Sequence, residues 1–142
     1  MVTPNHRNVS AKPTKMTDKI VVMSTCGSAE EAQRLAHELI AQHAAACVNI
    51  VAPVRSVYRW KGQIENAEEW LLIAKSSRSS FDRLRTILEA AHSYELPEVL
   101  ALPVVAGSPN YLAWLESEVR ESEVTESDML RSEATAAEPD AR

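Results

Sequence analysis

The feature that most constrains this chain is a pair of extended segments, together running from about residue 47 to about residue 76 and joined through one glycine turn. "AAACVNIVAP" leaves a helical region and becomes extended through Val48, Ile50 and Val51, and "VRSVYRW" continues it. "KGQIEN" supplies a turn around Gly62, and "EEWLLIAKS" returns as the partner. β-Branched and aromatic residues of this kind suit a pleated, half-buried surface. Pro53 has no N–H to give a ladder, so it belongs at an edge or a bulge. The tip carries Tyr58, Arg59, Trp60 and Lys61. A lone ribbon with such a tip is not stable in water. It has to project beyond a larger sheet and find cover, and a second copy of the chain is the expected partner.

The rest of the sequence supplies that sheet. "KIVVMST" reads as a buried strand. Ser28 with Glu31 forms an S-x-x-E capping box, and Ala32, Leu35, Ala36, Leu39 and Ile40 recur at helical spacing behind it. Ser79 or Ser80 caps a second helix that turns Phe81, Leu84, Ile87, Leu88 and Ala91 inward. "EVLALPV" is a fourth strand, and "GSPNYLAWLESEV" opens a closing helix with Ser108 at the cap and Pro109 at the first helical position. Leu112, Leu115 and Val119 form its apolar stripe. The order is β-α-β-β-α-β with an extra C-terminal helix. Right-handed crossovers then place two helices on one face of a four-stranded antiparallel sheet, an α+β sandwich of ferredoxin-like form with a long hairpin. It covers roughly residues 19 to 120; residues 1–18 and the acidic residues 121–142 read as disordered tails.

Charge narrows the partners. The net charge is −5, with the N-terminal tail basic and the C-terminal tail acidic. Between them the signs are interspersed, and no basic stripe could neutralise a row of phosphates, so nucleic acid is not expected as a partner. No apolar run approaches the ~20 residues that span a bilayer, so no membrane is expected either. Cys26 and Cys47 show no CxxC spacing, and the polar N-terminus does not resemble a secretory signal. A cytoplasmic protein with reduced thiols is the expectation.

The chemistry concentrates in "AAHSYELPEVLALPV", residues 90–104. A plain helix-to-strand connection does not need an imidazole, a phenol and a carboxylate within seven residues. Pro97 disfavours helix at Leu96 and stops the segment without glycine. His92, Tyr94 and Glu98 are then expected to hydrogen-bond around the bend and line a cleft. As a plain structural group, His92 would serve a helix C-terminus; as a functional one it would be a ligand oriented by the Glu98 carboxylate. Lys75 either snorkels at a sheet edge or points its ammonium into a cleft. His37 and His43 lack the i, i+4 spacing of a helical metal pair and are expected to be exposed, and Cys47 is expected to be a small buried strand residue.

Taken in order, "VVMST", "AAACVNIVAPVRSVYRWKGQIE", "LLIAKS", "HSYELPEVLALPV" and "YLAWL" resemble the CutA family of divalent-cation tolerance proteins. The resemblance covers nearly all of 20–119 and joins Y-x-W-x-G, H-x-Y-x-x-P-E and Y-L-x-W. It implies a tight homotrimer whose hairpin reaches across to a neighbour, with no enzymatic activity and a role in the response to metal ions. The implied cofactor is a divalent metal, copper in some members. The family's soft ligand falls on Ser24, with Cys26 two residues further on, so the candidate metal ligands here are His92, Glu98 and Cys26. Lys75, Tyr94, Tyr58 and Trp60 are the candidates for a ligand cleft between subunits, and Tyr111 and Trp114 for the interface. A second reading is a module like the PII signalling proteins, binding a small anion through Lys75 and the His92–Glu98 bend. A third is a small hydrolase using His92 as general base, for which nothing places Arg55 or Arg59 as a clamp.

Overall fold

The computed structural model describes residues 16–120. Both tail segments therefore lie almost wholly outside the described residues. The chain runs β1 (Lys19–Cys26), α1 (Ala29–Ala41), β2 (Cys47–Trp60), β3 (Gln63–Ser77), a short 3-10 turn (Arg78–Ser80), α2 (Phe81–Ala91), β4 (Leu100–Pro103) and α3 (Pro109–Glu118). The sheet order is β2-β3-β1-β4 with all pairs antiparallel, the expected ferredoxin-like topology.

Strand parity explains the core. In β1, Ile20, Val22, Ser24 and Cys26 are buried, and their partners Ser76, Ala74, Leu72 and Trp70 alternate in step along β3. These face α1 and α2, which contribute Leu35, Leu39, Leu84 and Leu88, each at most 1% exposed. Burying a leucine of this kind stabilises by about 1.5–3 kcal/mol. Val21, Met23, Leu71 and Ile73 point to the other face, opposite α1 and α2.

The hairpin turns as its sequence requires. Lys61 and Gly62 both have positive φ, 49° and 79°, which fits a two-residue loop between the paired Trp60 and Gln63. The register slips between Val51 and Val54, a bulge that accommodates Pro53.

The element ends differ from the sequence reading in four places. β4 is four residues, shorter than "EVLALPV", because it pairs only with the Ile20–Met23 stretch of β1. α2 stops at Ala91, well before Pro97, because His92 turns extended (ψ 143°) and its Nδ1 accepts the N–H of Tyr94. A 3-10 turn precedes α2, and neither Ser80 nor Ser108 caps its helix through a side-chain hydrogen bond. Ser28 does cap α1, accepting from the Glu31 N–H at 3.1 Å, but the Glu31 carboxylate does not close the box; it reaches Ser93 instead.

α3 is fastened to the sheet by Leu115, 2% exposed, and by Lys19. The Lys19 ammonium is buried and bonds Ser77 Oγ, Asp18 and Glu116 together. His43 is half-buried rather than exposed: its ring Nδ1 lies 3.1 Å from the Glu118 carbonyl, beyond the C-terminal end of α1.

Candidate functional site

Residues 92–98 cross the end of the sheet where the hairpin leaves it, and three hydrogen-bonded contacts hold them. His92 Nε2 lies 2.8 Å from the Thr25 carbonyl; a carbonyl only accepts, so Nε2 donates. Its Nδ1 accepts from the Tyr94 N–H at 3.0 Å. Ser93 donates both its N–H and its hydroxyl to the Glu31 carboxylate, at 3.0 and 2.7 Å. The Tyr94 hydroxyl donates to Glu69 Oε2 at 2.9 Å. A Cβ at Gly27 would come within 3.3 Å of that hydroxyl oxygen, so the tyrosine ring closes down onto a glycine.

These contacts shift three groups. Burial raises the Tyr94 phenol well above its ordinary value, and the Glu69 carboxylate beside it adds to the rise. Burial works to raise Glu31 too, but the two Ser93 hydrogen bonds, with His92 and Arg34 nearby, outweigh it and leave the carboxyl below 4.5. Burial raises the Cys26 thiol above 9.0, so at neutral pH it is not a ready thiolate.

Between this loop and the hairpin lies a cleft of about 650 Å³. Tyr58, Trp60 and Tyr94 give it aromatic walls, Val57 and Leu96 apolar ones, and Glu69, Glu95 and Glu98 give it charge. Among the described residues, no lysine, arginine or histidine side chain lines it. A cavity of this size with a few polar groups is typical of small-ligand sites. Its field favours cations.

Of the residues expected to form a ligand site, Tyr58, Trp60, Tyr94 and Glu98 therefore meet in one cleft. Lys75 does not join them. It sits across from Val21 and Cys47 on the face opposite α1 and α2, with its ammonium on Asn49 Oδ1 and 3.9 Å from Cys47 Sγ. Cys47 is accordingly half-buried on that face rather than a core residue. His92 lies behind the cleft wall with its side chain fully enclosed and both ring nitrogens committed to backbone groups. Its nearest carboxylate is Glu31, at 3.4 Å, not Glu98. Cys26 is 0% exposed on the core side, its thiol turned to the Ser28 carbonyl. Among the described residues, no three His, Cys, Asp or Glu side chains converge as a metal would require. Tyr111 and Trp114 stack on each other at 5.5 Å and stay 44% and 43% exposed on α3.

The sequence reading missed Glu69 and Glu95, and it gave Glu31 to the capping box rather than to Ser93. For Glu69 a signal existed: Trp70, Leu72 and Ala74 face the core, so the alternation puts Glu69 on the opposite face beside Thr25.

Fold and cleft together define a ferredoxin-like α+β domain with an extended hairpin and a carboxylate-lined cleft at its root. The family model of the CutA1 divalent ion tolerance protein matches residues 20–118. "Protein CutA, chloroplastic" of Arabidopsis thaliana is 41% identical over 106 residues, 75% of this chain and 58% of the relative. The "Divalent-cation tolerance protein CutA" of Thermus thermophilus is 41% identical over 95 residues, 67% of this chain and 92% of the relative. The crystal structure of CutA1 from Oryza sativa superimposes with a TM-score of 0.73 at 43% identity, covering 75% of this chain and 98% of that one. The chain belongs to the CutA1 divalent ion tolerance family. It spans 58% of the length of the plant relatives and nearly all of the bacterial one.

Proposed function

We propose that this chain is a non-enzymatic, cytoplasmic cation-responsive protein that works as a homotrimer and meets its cation at the cleft between loop 92–98 and the hairpin. The observation that carries the reading is the charge of that cleft, three carboxylates with no basic side chain among its lining residues. The names of the family and of its relatives point the same way. Assembly is supported by the apolar groups left open on the hairpin and β4: Val57, Ile64 and Leu100 are 65%, 67% and 57% exposed.

The donors suit an oxygen-preferring divalent cation more than copper. A soft or imidazole-bound copper site at His92 and Cys26 would have to break two hydrogen bonds of a buried ring and deprotonate a thiol whose pKa burial raises. Because no three His, Cys, Asp or Glu side chains converge among the described residues, a metal ion at Glu98 or Glu95 needs further donors, from water or a neighbouring subunit. The small-anion reading has less support, since Lys75 is not in the cleft.

Calorimetric titration of the intact protein with manganese, zinc and copper, beside His92→Ala and a Glu95→Gln/Glu98→Gln pair, tests the site. Affinity for manganese or zinc is expected to fall about tenfold or more in the carboxylate pair, which corresponds to about 1.4 kcal/mol, and to stay unchanged in His92→Ala. The reverse pattern returns the site to His92 and refutes the carboxylate reading.

A further inference from the structure

One carboxylate of the cleft is far more enclosed than the other two. Glu69 is 6% exposed, and among the described residues its one polar partner is the Tyr94 hydroxyl, on Oε2. The other oxygen, Oε1, has no side-chain donor among the described residues and opens onto the cleft. A largely enclosed carboxylate with one neutral donor and one oxygen open to the cleft offers an entering cation a partner.

The geometry does not suit a bare metal ion in one subunit. A divalent cation gathers its oxygens within roughly 2.0–2.6 Å of one point, and among the described residues no three His, Cys, Asp or Glu side chains do so. A polyatomic cation has no such requirement. An ammonium donates in three directions at about 2.7–2.9 Å, and a methylene chain can carry a second charge to a carboxylate some distance from the first. The cleft offers both ends and the middle: Glu69 in its depth, the exposed Glu95 and Glu98 also lining it, and aromatic and aliphatic surface from Tyr58, Trp60 and Leu96. Trp60 already carries a cation on its ring, the Lys61 ammonium 5.7 Å from the centroid. A ligand's methylene stem, not its ammonium, is what the remaining indole surface receives.

We infer that the cleft binds an aliphatic diammonium ion, with one ammonium on Glu69 and the other at the Glu95–Glu98 carboxylates. The inference rests on the cleft being the chain's cation site, as proposed above, and it names the ligand class of that site. The methylene stem lies against the aromatic and aliphatic walls, and the ligand supplies the donors that Glu69 lacks.

Putrescine, butylamine and magnesium chloride titrated into the full-length protein at low ionic strength test it. Putrescine is expected to bind about tenfold or more tightly than butylamine, since only the diamine engages both carboxylate groups. Glu69→Gln keeps an oxygen for the Tyr94 hydroxyl but removes the charge, and is expected to weaken putrescine by about tenfold or more. Trp60→Leu should weaken it severalfold, while Lys61→Gln should not weaken it. No putrescine binding, equal binding of the two amines, or an affinity unchanged in Glu69→Gln overturns the inference. If metal ions bind through Glu95 and Glu98 while putrescine does not, this inference alone falls. If neither binds, the cation reading of the cleft falls with it.

Discussion

His92 marks the difference between a residue's chemistry and its employment. In the sequence it stands among Tyr94, Pro97 and Glu98 as a ligand would; in the fold its ring ties α2 to the end of β1 and caps the turn that follows. Glu31 acts beside it, clamping Ser93 from α1. The Glu31 carboxyl has a folded pKa below its ordinary 4.5, so its contribution is complete above that value and is lost as pH falls through the folded one. Urea unfolding across the acid range should therefore show a steeper loss of stability in the wild type than in Glu31→Gln. At neutral pH the variant should be less stable by roughly 1–3 kcal/mol, the scale of losing charge-assisted hydrogen bonds. Parallel acid limbs would remove Glu31 from the clamp. The capping box itself was legible, since Ser28 and Glu31 stand three apart; the destination of the carboxylate was not, because Ser93 is 62 residues away in sequence.

At the level of elements the hairpin is the best test of how far local sequence reaches. Gly62 sits at φ 79° with nothing within 4 Å of where a Cβ would stand, so a substitution there meets no steric neighbour and reports backbone strain alone. Gly62→Ala is expected to destabilise by about 1–2 kcal/mol, the cost of a left-handed backbone for a residue with a Cβ. Faster hydrogen exchange at the amides flanking the turn than in the wild type would show it; equal protection would mean the ribbon is held by other contacts. The turn, the strand order and the two helix faces were legible because each is written in neighbouring residues. The extent of β4 and the end of α2 were not, since one is limited by the stretch of β1 it pairs with and the other by a side chain folding back on the next turn. The cleft was half legible. Tyr58, Trp60, Tyr94 and Glu98 came from two conspicuous motifs, while Glu69 hides in an acidic strand where only parity separates it from Glu68.

For the molecule as a whole, the decisive surface is the sheet face opposite α1 and α2. Val21, Met23, Leu71 and Ile73 share it with Leu100 and Leu102 of the edge strand β4, which are 57% and 47% exposed. On the other edge, Val51 adds to it at 43% exposed. An apolar sheet face of this kind beside unpaired edge strands favours association over a free monomer. The overlong hairpin, rooted at the same sheet, then gives each copy an arm to lay across the next. Sedimentation equilibrium at micromolar concentration should return three times the 15.7 kDa chain mass for the wild type. Leu100→Lys with Leu102→Lys puts two ammonium groups into that face without touching the helix-side core, and should shift the population toward single chains whose circular dichroism remains folded. A wild type that sediments as a folded single chain would refute the assembly and leave the cleft open along its hairpin side. A trimer that survives both lysines would instead place the contact on the hairpin and on Tyr111 and Trp114, away from the open sheet.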